Sequence, residues 1–342
     1  MMASDVTIRG AGIYGLSVAW ECLARGARVR LVDPAGPAGG ASGGVVGALA
    51  PHTPGDWSDI KALQLDTLLA APEYWAEVAE AGGGDSGYAR TGRLQSLPDD
   101  AAVVRARARA ADAHRHWGDA FRWEVVAAPS GWGPESPTGL VVHDTLSARL
   151  HPARATLALA AAVRARGVAV LDDAPDRGPT VWATGAAGLE ALSRALGREV
   201  GRGIKGQGAV LSHHAPDMPQ IYTGGVHMVP HADGTVGIGS TTEREFDSPD
   251  TTDAGLEAVI AAARAAVPAL REAAVLRRWA GVRPRARSRQ PLLGAWPGRA
   301  GHFVANGGFK IGFGTHFAAA RMVADLVLDG VDRIPPSMRL ER

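Results

Sequence analysis

The stretch VTIRGAGIYG, from Val6 to Gly15, contains the pattern that decides the fold. It begins with β-branched residues typical of a short strand, and helical spacing follows the glycines as far as Gly26. Gly10 permits a tight turn, Gly12 lets the backbone approach a pyrophosphate, and Gly15 lets the helix pack closely on the strand. The N-terminus of a helix at this point also favours a bound anion. The stretch therefore predicts the phosphate-binding turn of a dinucleotide-binding α/β fold.

An acidic residue stands where such a fold needs one. A second predicted strand, Arg28–Val32, is followed by Asp33, whose carboxylate can accept hydrogen bonds from ribose hydroxyls. Residues 34–37 include no cation to bind a 2′-phosphate, which disfavours NADP. Three further segments of small residues, at 39–50, 182–188 and 306–314, offer backbone contacts far along the chain from the first glycine loop. A permanently held cofactor is contacted along its whole length, so these segments favour FAD over a dissociable NAD.

Composition narrows the classes of function. The 342 residues carry 36 basic and 35 acidic side chains, a formal charge of +1 that favours neither a nucleic-acid partner nor a polybasic membrane anchor. Cys22 is the only cysteine, which excludes an intramolecular disulfide or a cysteine-rich metal site, and no metal-ligand spacing such as His-Glu-x-x-His occurs. Neither a signal peptide nor an apolar run of about 18 residues is present. We expect a soluble, cytoplasmic protein without a membrane span.

The order of patterns predicts two interleaved domains. A glycine- and proline-rich loop at 34–57 is followed by mainly helical composition at 61–117, where the arginines at 105, 107 and 109 indicate a solvated helix face rather than RNA contact. An α/β rhythm returns from residue 150, and β-formers then alternate around Asp233-Gly234, a hairpin signal. We expect an α/β, Rossmann-like FAD-binding domain of the glutathione-reductase type with an inserted antiparallel-sheet substrate domain. The predicted boundaries are 1–75, 145–208 and 285–342 for the FAD domain, and 76–144 and 209–284 for the substrate domain.

At this point the sequence resembles the superfamily of FAD-dependent enzymes that contains D-amino-acid oxidase, glycine oxidase and sarcosine oxidase. The motifs that carry the resemblance occur in the family's order: the glycine motif up to Asp33, the Ala-Ser-Gly loop, Ala183-Thr184-Gly185, Gly206-Gln207 before a predicted strand, Trp279–Pro284, and Asn306–Gly314. The resemblance implies that FAD is contacted by Gly10, Gly12, Ile13, Tyr14, Gly15, Asp33, Ala41, Ser42, Gly43, Gly47, Ala48, Leu49, Thr184, Gly185, Gly307, Gly308, Phe309, Lys310, Ile311 and Gly312.

The resemblance also implies substrate-binding residues. The arginine of the family's Gly-x-Arg-Pro signature binds the substrate carboxylate, and Arg283 stands at that position. Lys310 matches the lysine of the Gly-Phe-Lys loop of sarcosine oxidase, a second carboxylate ligand, although its ammonium could instead extend into solvent. His227 replaces an active-site tyrosine of glycine oxidase, and is either a hydrogen-bonding or proton-accepting group or an ordinary hairpin histidine. We expect Arg283, Lys310 and His227 to be the catalytic residues.

Two departures from the family concern the cofactor. The cysteine that tethers the flavin in sarcosine oxidase is absent, so we expect non-covalent FAD, with a histidyl link at His52 as the alternative suggested by relatives. The segment Asp172–Pro179 is shorter than its family counterpart, which leaves the contacts on the adenine side open.

The function hypothesis is an FAD-dependent amine or amino-acid oxidase or dehydrogenase. Its substrate would be a D-amino acid, glycine or an N-alkyl amino acid, which loses hydride to flavin N5 and becomes an imine that hydrolyses; oxygen or another acceptor would reoxidise the flavin. One alternative is the removal of a carboxymethyl group from a modified tRNA uridine, because GASGGVVGALAP also resembles the flavin domain of that bifunctional enzyme. The other is a flavoprotein that relays electrons without catalysis.

Overall fold

The computed structural model describes residues 5–51 and 53–340. The strands are β1 (Asp5–Arg9), β2 (Arg28–Val32), β3 (Ala48–Leu49), β4 (Arg93–Ser96), β5 (Trp123–Ala127), β6 (Leu140–Asp144), β7 (Ala148–Arg149), β8 (Val170–Leu171), β9 (Thr180–Trp182), β10 (Gly201–Ser212), β11 (Gln220–Thr223), β12 (Val226–Pro230), β13 (Thr235–Gly239), β14 (Val275–Ala286), β15 (Leu292–Ala295) and β16 (His302–Asn306). The helices are α1 (Ile13–Ala24), α2 (Asp59–Val78), α3 (Asp100–Trp117), α4 (Pro152–Ala165), α5 (Gly185–Leu196), α6 (Ala254–Ala266) and α7 (His316–Asp329).

The first sheet has six strands in the order β15-β16-β9-β1-β2-β8. All neighbours are parallel except the edge pair of β15 and β16. The apolar residues of β1 are buried, and α1 buries most of its length against the same core, ending before Gly26, which has a φ of +80°. The predicted βαβ opening and the Rossmann-like class are confirmed.

The second sheet has eight strands in the order β14-β10-β13-β12-β11-β4-β6-β5. The predicted hairpin is confirmed: β12 and β13 pair in antiparallel fashion, and Gly234 in the turn has a φ of +79°. One neighbouring pair, β11 with β4, is parallel within this otherwise antiparallel sheet. A separate apolar core under α6, with Met228, Ile238 and Leu256 at its centre, supports one face of the sheet.

Two expectations about local structure were wrong. Strand β4 lies inside the stretch 61–117, which we expected to be helical, and four residues acquire strand geometry there because they pair with β6 and β11. Gly206-Gln207 lies in the middle of the 12-residue strand β10, not before a strand, and β10 pairs with β14 over nearly its whole length. Such long-range pairing overrides local propensity.

Strands of the two sheets alternate along the chain. The six-stranded sheet uses segments around residues 5–32, 170–182 and 292–306, and the eight-stranded sheet uses segments around 93–144 and 201–286. The exact domain boundaries stay a prediction. Among the described residues, no helix is both long enough and apolar enough to span a bilayer. His52, the alternative point of flavin attachment, lies outside the described residues.

Candidate active site

A cavity of about 1150 Å³ lies at the carboxyl edge of the parallel strands. Each of the five parallel strands ends in or next to a residue that lines it: Gly10 after β1, Asp33 after β2, Asp172 after β8, Ala183 after β9, and Asn306 at the end of β16. Ligands of open α/β sheets bind at this edge. The cavity also reaches the second sheet, where residues of β12 and β14 line it.

The first glycine loop has the close contacts that the sequence predicts. Gly10 has a φ of +110°, and a β-carbon there would overlap the backbone carbonyl of Ala183. A β-carbon on Gly15 would overlap the carbonyl of Gly10, which keeps α1 close to β1. Gly12, the N-cap residue of α1, has no side chain that could cap the helix, and the first turn contains no acidic residue. The helix N-terminus therefore faces the cavity with the positive potential that a pyrophosphate needs.

Asp33 and Ser42 hold this loop in shape. The carboxylate of Asp33 accepts hydrogen bonds from the backbone nitrogens of Ala11 at 2.7 Å and Ala35 at 2.9 Å. The hydroxyl oxygen of Ser42 accepts from the backbone nitrogen of Ile13 at 3.0 Å, at the first residue of α1. Both side chains line the cavity, so their remaining hydrogen-bonding capacity is available to a ligand.

Two residues of the short segment Asp172–Pro179, Asp172 and Asp173, line the cavity beyond the end of β8. Arg9 donates to the carboxylate of Asp176 at 2.7 Å and to the carbonyl of Ala174 at 3.0 Å, and its guanidinium lies 5.3 Å from the ring centroid of Trp182. Arg9 thereby ties the segment to the end of β1, which explains a cation at the end of an otherwise apolar strand. Arg9, Asp172 and Trp182 all line the cavity.

The glycine-rich loop after β16 is fastened to β14. The side chain of Asn306 donates to the carbonyl of Gly185 at 2.9 Å, and the backbone nitrogen of Phe309 donates to the carbonyl of Pro284 at 3.0 Å. Gly308 forms a β-bridge with Arg285, and a β-carbon on it would lie 3.1 Å from the ring of Tyr14. The loop therefore approaches the cavity through bare backbone beside the strand that carries Arg283.

Arg283 presents a cation to the cavity. Its guanidinium donates to the carbonyl of Thr241 at 3.4 Å and lies 5.8 Å from the ring of Trp279. Burial lowers its pKa from 12.5 to about 10, against the opposing effect of the Glu243 carboxylate, so the group stays charged at neutral pH. Among the described residues, the Thr241 carbonyl is its only hydrogen-bond acceptor, and most of its donors are left for a ligand.

Lys310 also lines the cavity but is exposed to solvent. Its ammonium lies 5.8 Å from the ring centroid of Phe309 and forms no ion pair with any described acidic residue. Partial burial lowers its pKa, and the nearby charge of Arg283 lowers the pKa further. Two cations that are close enough for the charge of one to lower the pKa of the other make this part of the cavity attractive to a carboxylate.

His227 lies on β12 opposite Tyr222, and their ring centroids are 4.5 Å apart. Its Nδ1 atom is buried and has no hydrogen-bond partner among the residues that the structure describes. Burial lowers its pKa from 6.5 to about 3, and the charges of Arg93 and Lys310 act in the same direction. The imidazole is therefore neutral at neutral pH, which favours hydrogen bonding over proton acceptance from a substrate ammonium.

Most of the predicted site residues line this one cavity. Those that do not are Gly15, Gly47, Leu49, Gly307 and Ile311; their contact with FAD stays a prediction, and close packing of the backbone constrains some of these positions. Gly47, for example, lies so close to the carbonyl of Leu150 that a β-carbon would overlap it.

Several lining residues were not predicted individually. A β-carbon on Gly44 would lie 3.6 Å from the indole of Trp279, and a β-carbon on Gly281 would come within 2.5 Å of it. Gly208, Gly239 and Ser240 line the same region. The position of Trp279 within the Trp279–Pro284 motif could have indicated that it lines the cavity. The other three residues reach the cavity only because of how the strands pair, which the sequence does not indicate.

Comparison with known proteins agrees with this geometry. The family model described as FAD dependent oxidoreductase matches residues 5–326. Glycine oxidase of Pseudomonas putida is 27% identical over 368 aligned residues, which cover 98% of this chain and 98% of the relative.

Two solved structures share the fold. A glycine oxidase from Geobacillus kaustophilus has a TM-score of 0.85 at 21% identity, covering 100% of this chain and 99% of the other. An iminodiacetate oxidase from Chelativorans sp. BNC1 has a TM-score of 0.80 at 22% identity, covering 96% and 97%.

Proposed function

The chain belongs to the family of FAD-dependent oxidoreductases, enzymes that act on amines, and from this premise we propose that it oxidises the C–N bond of an amine that carries a carboxylate. The substrate class comprises D-amino acids, glycine and N-alkyl amino acids. The observation that carries the proposal is Arg283, a charged guanidinium with one described hydrogen-bond acceptor, which lines the same cavity as the dinucleotide loop.

The role proposed for Arg283 is to bind the substrate carboxylate. A planar guanidinium can donate two parallel hydrogen bonds to a carboxylate, and these bonds orient the ligand as well as hold it. Lys310 adds a second positive charge at the cavity mouth. Fixing the carboxylate in this way would direct the adjacent C–H bond towards the flavin ring beside the loop at 307–312.

The residues that would hold FAD fit it. The glycine loop and the N-terminus of α1 suit the pyrophosphate, Asp33 suits a ribose, and the bare backbone after β16 suits the flavin ring. When bound, FAD would supply the two-electron acceptor for oxidation of the carbon next to nitrogen, and oxygen or another acceptor would reoxidise it.

The charges in the cavity also act on the substrate amine. The positive potential of Arg283 and Lys310 favours the neutral amine over the ammonium, and only the neutral amine has the lone pair that forms the C=N bond as hydride leaves. His227, which is neutral, is the proposed hydrogen-bonding partner of the substrate. The resulting imine would hydrolyse to a carbonyl compound and ammonia or an amine.

The alternatives have less support. Removal of a carboxymethyl group from tRNA would be favoured by a basic face leading to the flavin, but the exposed arginines 105 and 107 lie on α3 and do not line the cavity. An electron-relay role would be favoured if Arg283 and Lys310 faced away from the cavity, whereas both line it.

The test is an anaerobic titration of the purified protein with D-amino acids, glycine, sarcosine, proline and other N-alkyl amino acids, followed by the visible spectrum. We expect one class to bleach the flavin band in the wild type and not in Arg283→Met, which should still contain FAD. A flavin that no carboxylate-bearing amine bleaches would contradict the proposed function, and loss of FAD from Arg283→Met would contradict the role of Arg283.

A further inference from the structure

Gln207 is a buried glutamine at the centre of β10 whose polar groups all bind one segment of the chain. This segment, residues 241–253, connects β13 to α6 and is called here the clasp segment. The side-chain nitrogen of Gln207 donates to the carboxylates of Glu243 at 2.9 Å and Asp253 at 2.8 Å, and its side-chain oxygen accepts from the backbone nitrogen of Asp253 at 2.9 Å. One side chain therefore joins the two ends of the clasp segment.

The backbone of Gln207 binds the start of the same segment. Its nitrogen donates to the hydroxyl of Thr241 at 2.8 Å, and its carbonyl accepts from the backbone nitrogen of Thr241 at 3.3 Å. The hydroxyl of Thr241 in turn contacts the carboxylate of Glu243. Both the backbone and the side chain of one residue thus determine where Thr241 and Glu243 lie.

Lys205, two positions earlier on β10, reinforces this arrangement. Its buried ammonium lies 3.5 Å from the carboxylate of Glu243 and 3.4 Å from that of Asp253. Its backbone exchanges two hydrogen bonds with Glu243, at 3.0 and 2.9 Å. The ammonium of Lys205 partly neutralises the two carboxylates that Gln207 binds, so Glu243 and Asp253 can both accept from the same amide group.

The clasp segment leads directly to Arg283. The carbonyl of Thr241 is the acceptor for the Arg283 guanidinium, and the Glu243 carboxylate acts on the same cation through space. Pro249 and Asp250, within the clasp segment, and the preceding Ser240 line the cavity that contains Arg283.

We propose that Gln207 is a positioning residue for substrate binding: by closing the clasp segment on β10, it holds Thr241 and Glu243 where they orient the Arg283 guanidinium towards the substrate carboxylate. This inference rests on the proposed function, because it assigns Gln207 a part in carboxylate recognition. Gln207 itself does not line the cavity, so its effect on the substrate passes through Thr241 and Arg283.

A glutamine meets this requirement through its amide. The NH₂ group donates to two acceptors, and the carbonyl oxygen accepts from a backbone N–H. Glutamine is the only uncharged side chain of this length that offers two donors and an acceptor together. A methionine has a similar shape but lacks these bonds, and a glutamate would place a third carboxylate beside Glu243 and Asp253.

The experiment compares wild type with Gln207→Met. We expect KM for the reducing amino acid to rise about tenfold or more, with a much smaller change in the limiting rate of flavin reduction, since the loss falls on carboxylate orientation. The dissociation constant of acetate, measured by perturbation of the flavin spectrum, should rise by a similar factor. FAD content and Tm are measured in parallel to identify a variant that has lost the fold.

A second pair of variants keeps the inference testable if Gln207→Met does not fold. Thr241→Val keeps the shape of the side chain but removes the hydroxyl that binds the Gln207 backbone nitrogen and Glu243, and it should raise the acetate dissociation constant. Glu257→Gln, which alters an ion pair with Arg278 on the outer part of the same sheet, should leave it unchanged.

The outcomes separate the two proposals. If wild type is bleached by carboxylate-bearing amines but Gln207→Met and Thr241→Val bind acetate as wild type does, the positioning role is wrong and the proposed function stands. A fall in FAD content with unchanged acetate affinity would also overturn it. If wild type neither binds acetate nor is bleached, the proposed function is wrong, and the positioning role, which depends on it, is wrong as well.

Discussion

The guanidinium of Arg283 occupies the space in which a side chain at Gly206 would begin. The two residues lie on the paired strands β14 and β10, and a β-carbon at position 206 would overlap the guanidinium itself. The absence of a side chain at 206 is therefore a condition for the observed placement of Arg283.

Gly206→Ala should displace the guanidinium without unfolding the protein, because the overlapping atoms belong to the end of a flexible side chain. We expect kcat/KM for the carboxylate substrate to fall about 100-fold, roughly 2.7 kcal/mol, with FAD content retained. Gly55→Ala is the matched control, since the nearest atom to its β-carbon would be a carboxylate oxygen of Asp112 at 3.3 Å, outside the cavity lining. Wild-type kinetics in Gly206→Ala would show that Arg283 does not bind the substrate in this position.

Lys310→Met should weaken substrate binding in a way that depends on pH. Lys310 has a lowered pKa and is charged below it, so its attraction for a carboxylate is present at neutral pH and is lost as pH rises through that lowered value. We expect KM of wild type to rise on the alkaline side, and KM of Lys310→Met to be several-fold higher at neutral pH with a flatter alkaline rise. Stopped-flow reduction of the flavin at several pH values measures this, and identical profiles would indicate an ammonium that extends into solvent.

His227→Asn should change the rate of flavin reduction, but the dependence of that rate on pH near neutrality should remain as in the wild type. The pKa of His227 is lowered to about 3, so the imidazole stays neutral throughout the ordinary assay range. Asparagine preserves hydrogen bonding, whereas His227→Phe does not, and we expect the phenylalanine variant to be the slower of the two. A limb near pH 6.5 that is present in wild type and absent from both variants would instead identify His227 as a proton acceptor.

Asp33→Ala should weaken FAD binding. The carboxylate holds the backbone at Ala11 and Ala35 and is the proposed ribose acceptor, so its loss removes charge-assisted hydrogen bonds worth roughly 2–3 kcal/mol, or a rise in FAD dissociation constant of about 30- to 150-fold. Quenching of flavin fluorescence during reconstitution of apoprotein gives the constant, with exposed Asp119→Ala as the control. Acid precipitation of wild type should release all flavin into the supernatant, and flavin retained in the pellet would contradict non-covalent binding.

Buried neutral histidines should make the protein sensitive to acid. His316 is fully enclosed, its Nδ1 lies 2.9 Å from the hydroxyl of Ser17, and burial lowers its pKa from 6.5 to about 3. Between those values the unfolded chain binds a proton that the folded chain does not, so the free energy of unfolding falls as pH falls through this window. We expect Tm to drop less between neutral pH and pH 4 in His316→Asn than in wild type. His114→Asn, at an exposed position, should behave like wild type, and an unchanged slope in His316→Asn would refute the assignment.

The local part of the cofactor site could be predicted from the sequence. Gly10, Gly15 and Asp33 belong to one βαβ unit, in which strand, turn and helix are neighbours along the chain, and their spacing alone determines their geometry. The class of fold was predictable for the same reason, because this motif acts through its own backbone, and the flavin contacts of the loop after β16 stay a prediction.

Tertiary structure decided the rest. The sequence indicated Arg283 as a substrate ligand, but only the pairing of β14 with β10 brings it over Gly206, and only the clasp segment brings Thr241 to its guanidinium. The neutral state of His227 depends on burial between elements distant in sequence. Strand β4 exists because β6 and β11 pair with it. Contacts between distant segments leave no periodic signal along the chain, since they depend on which surfaces meet after folding. This is why the sequence determined the first glycine loop, while the assembled sheets decided the placement of Arg283 and His227.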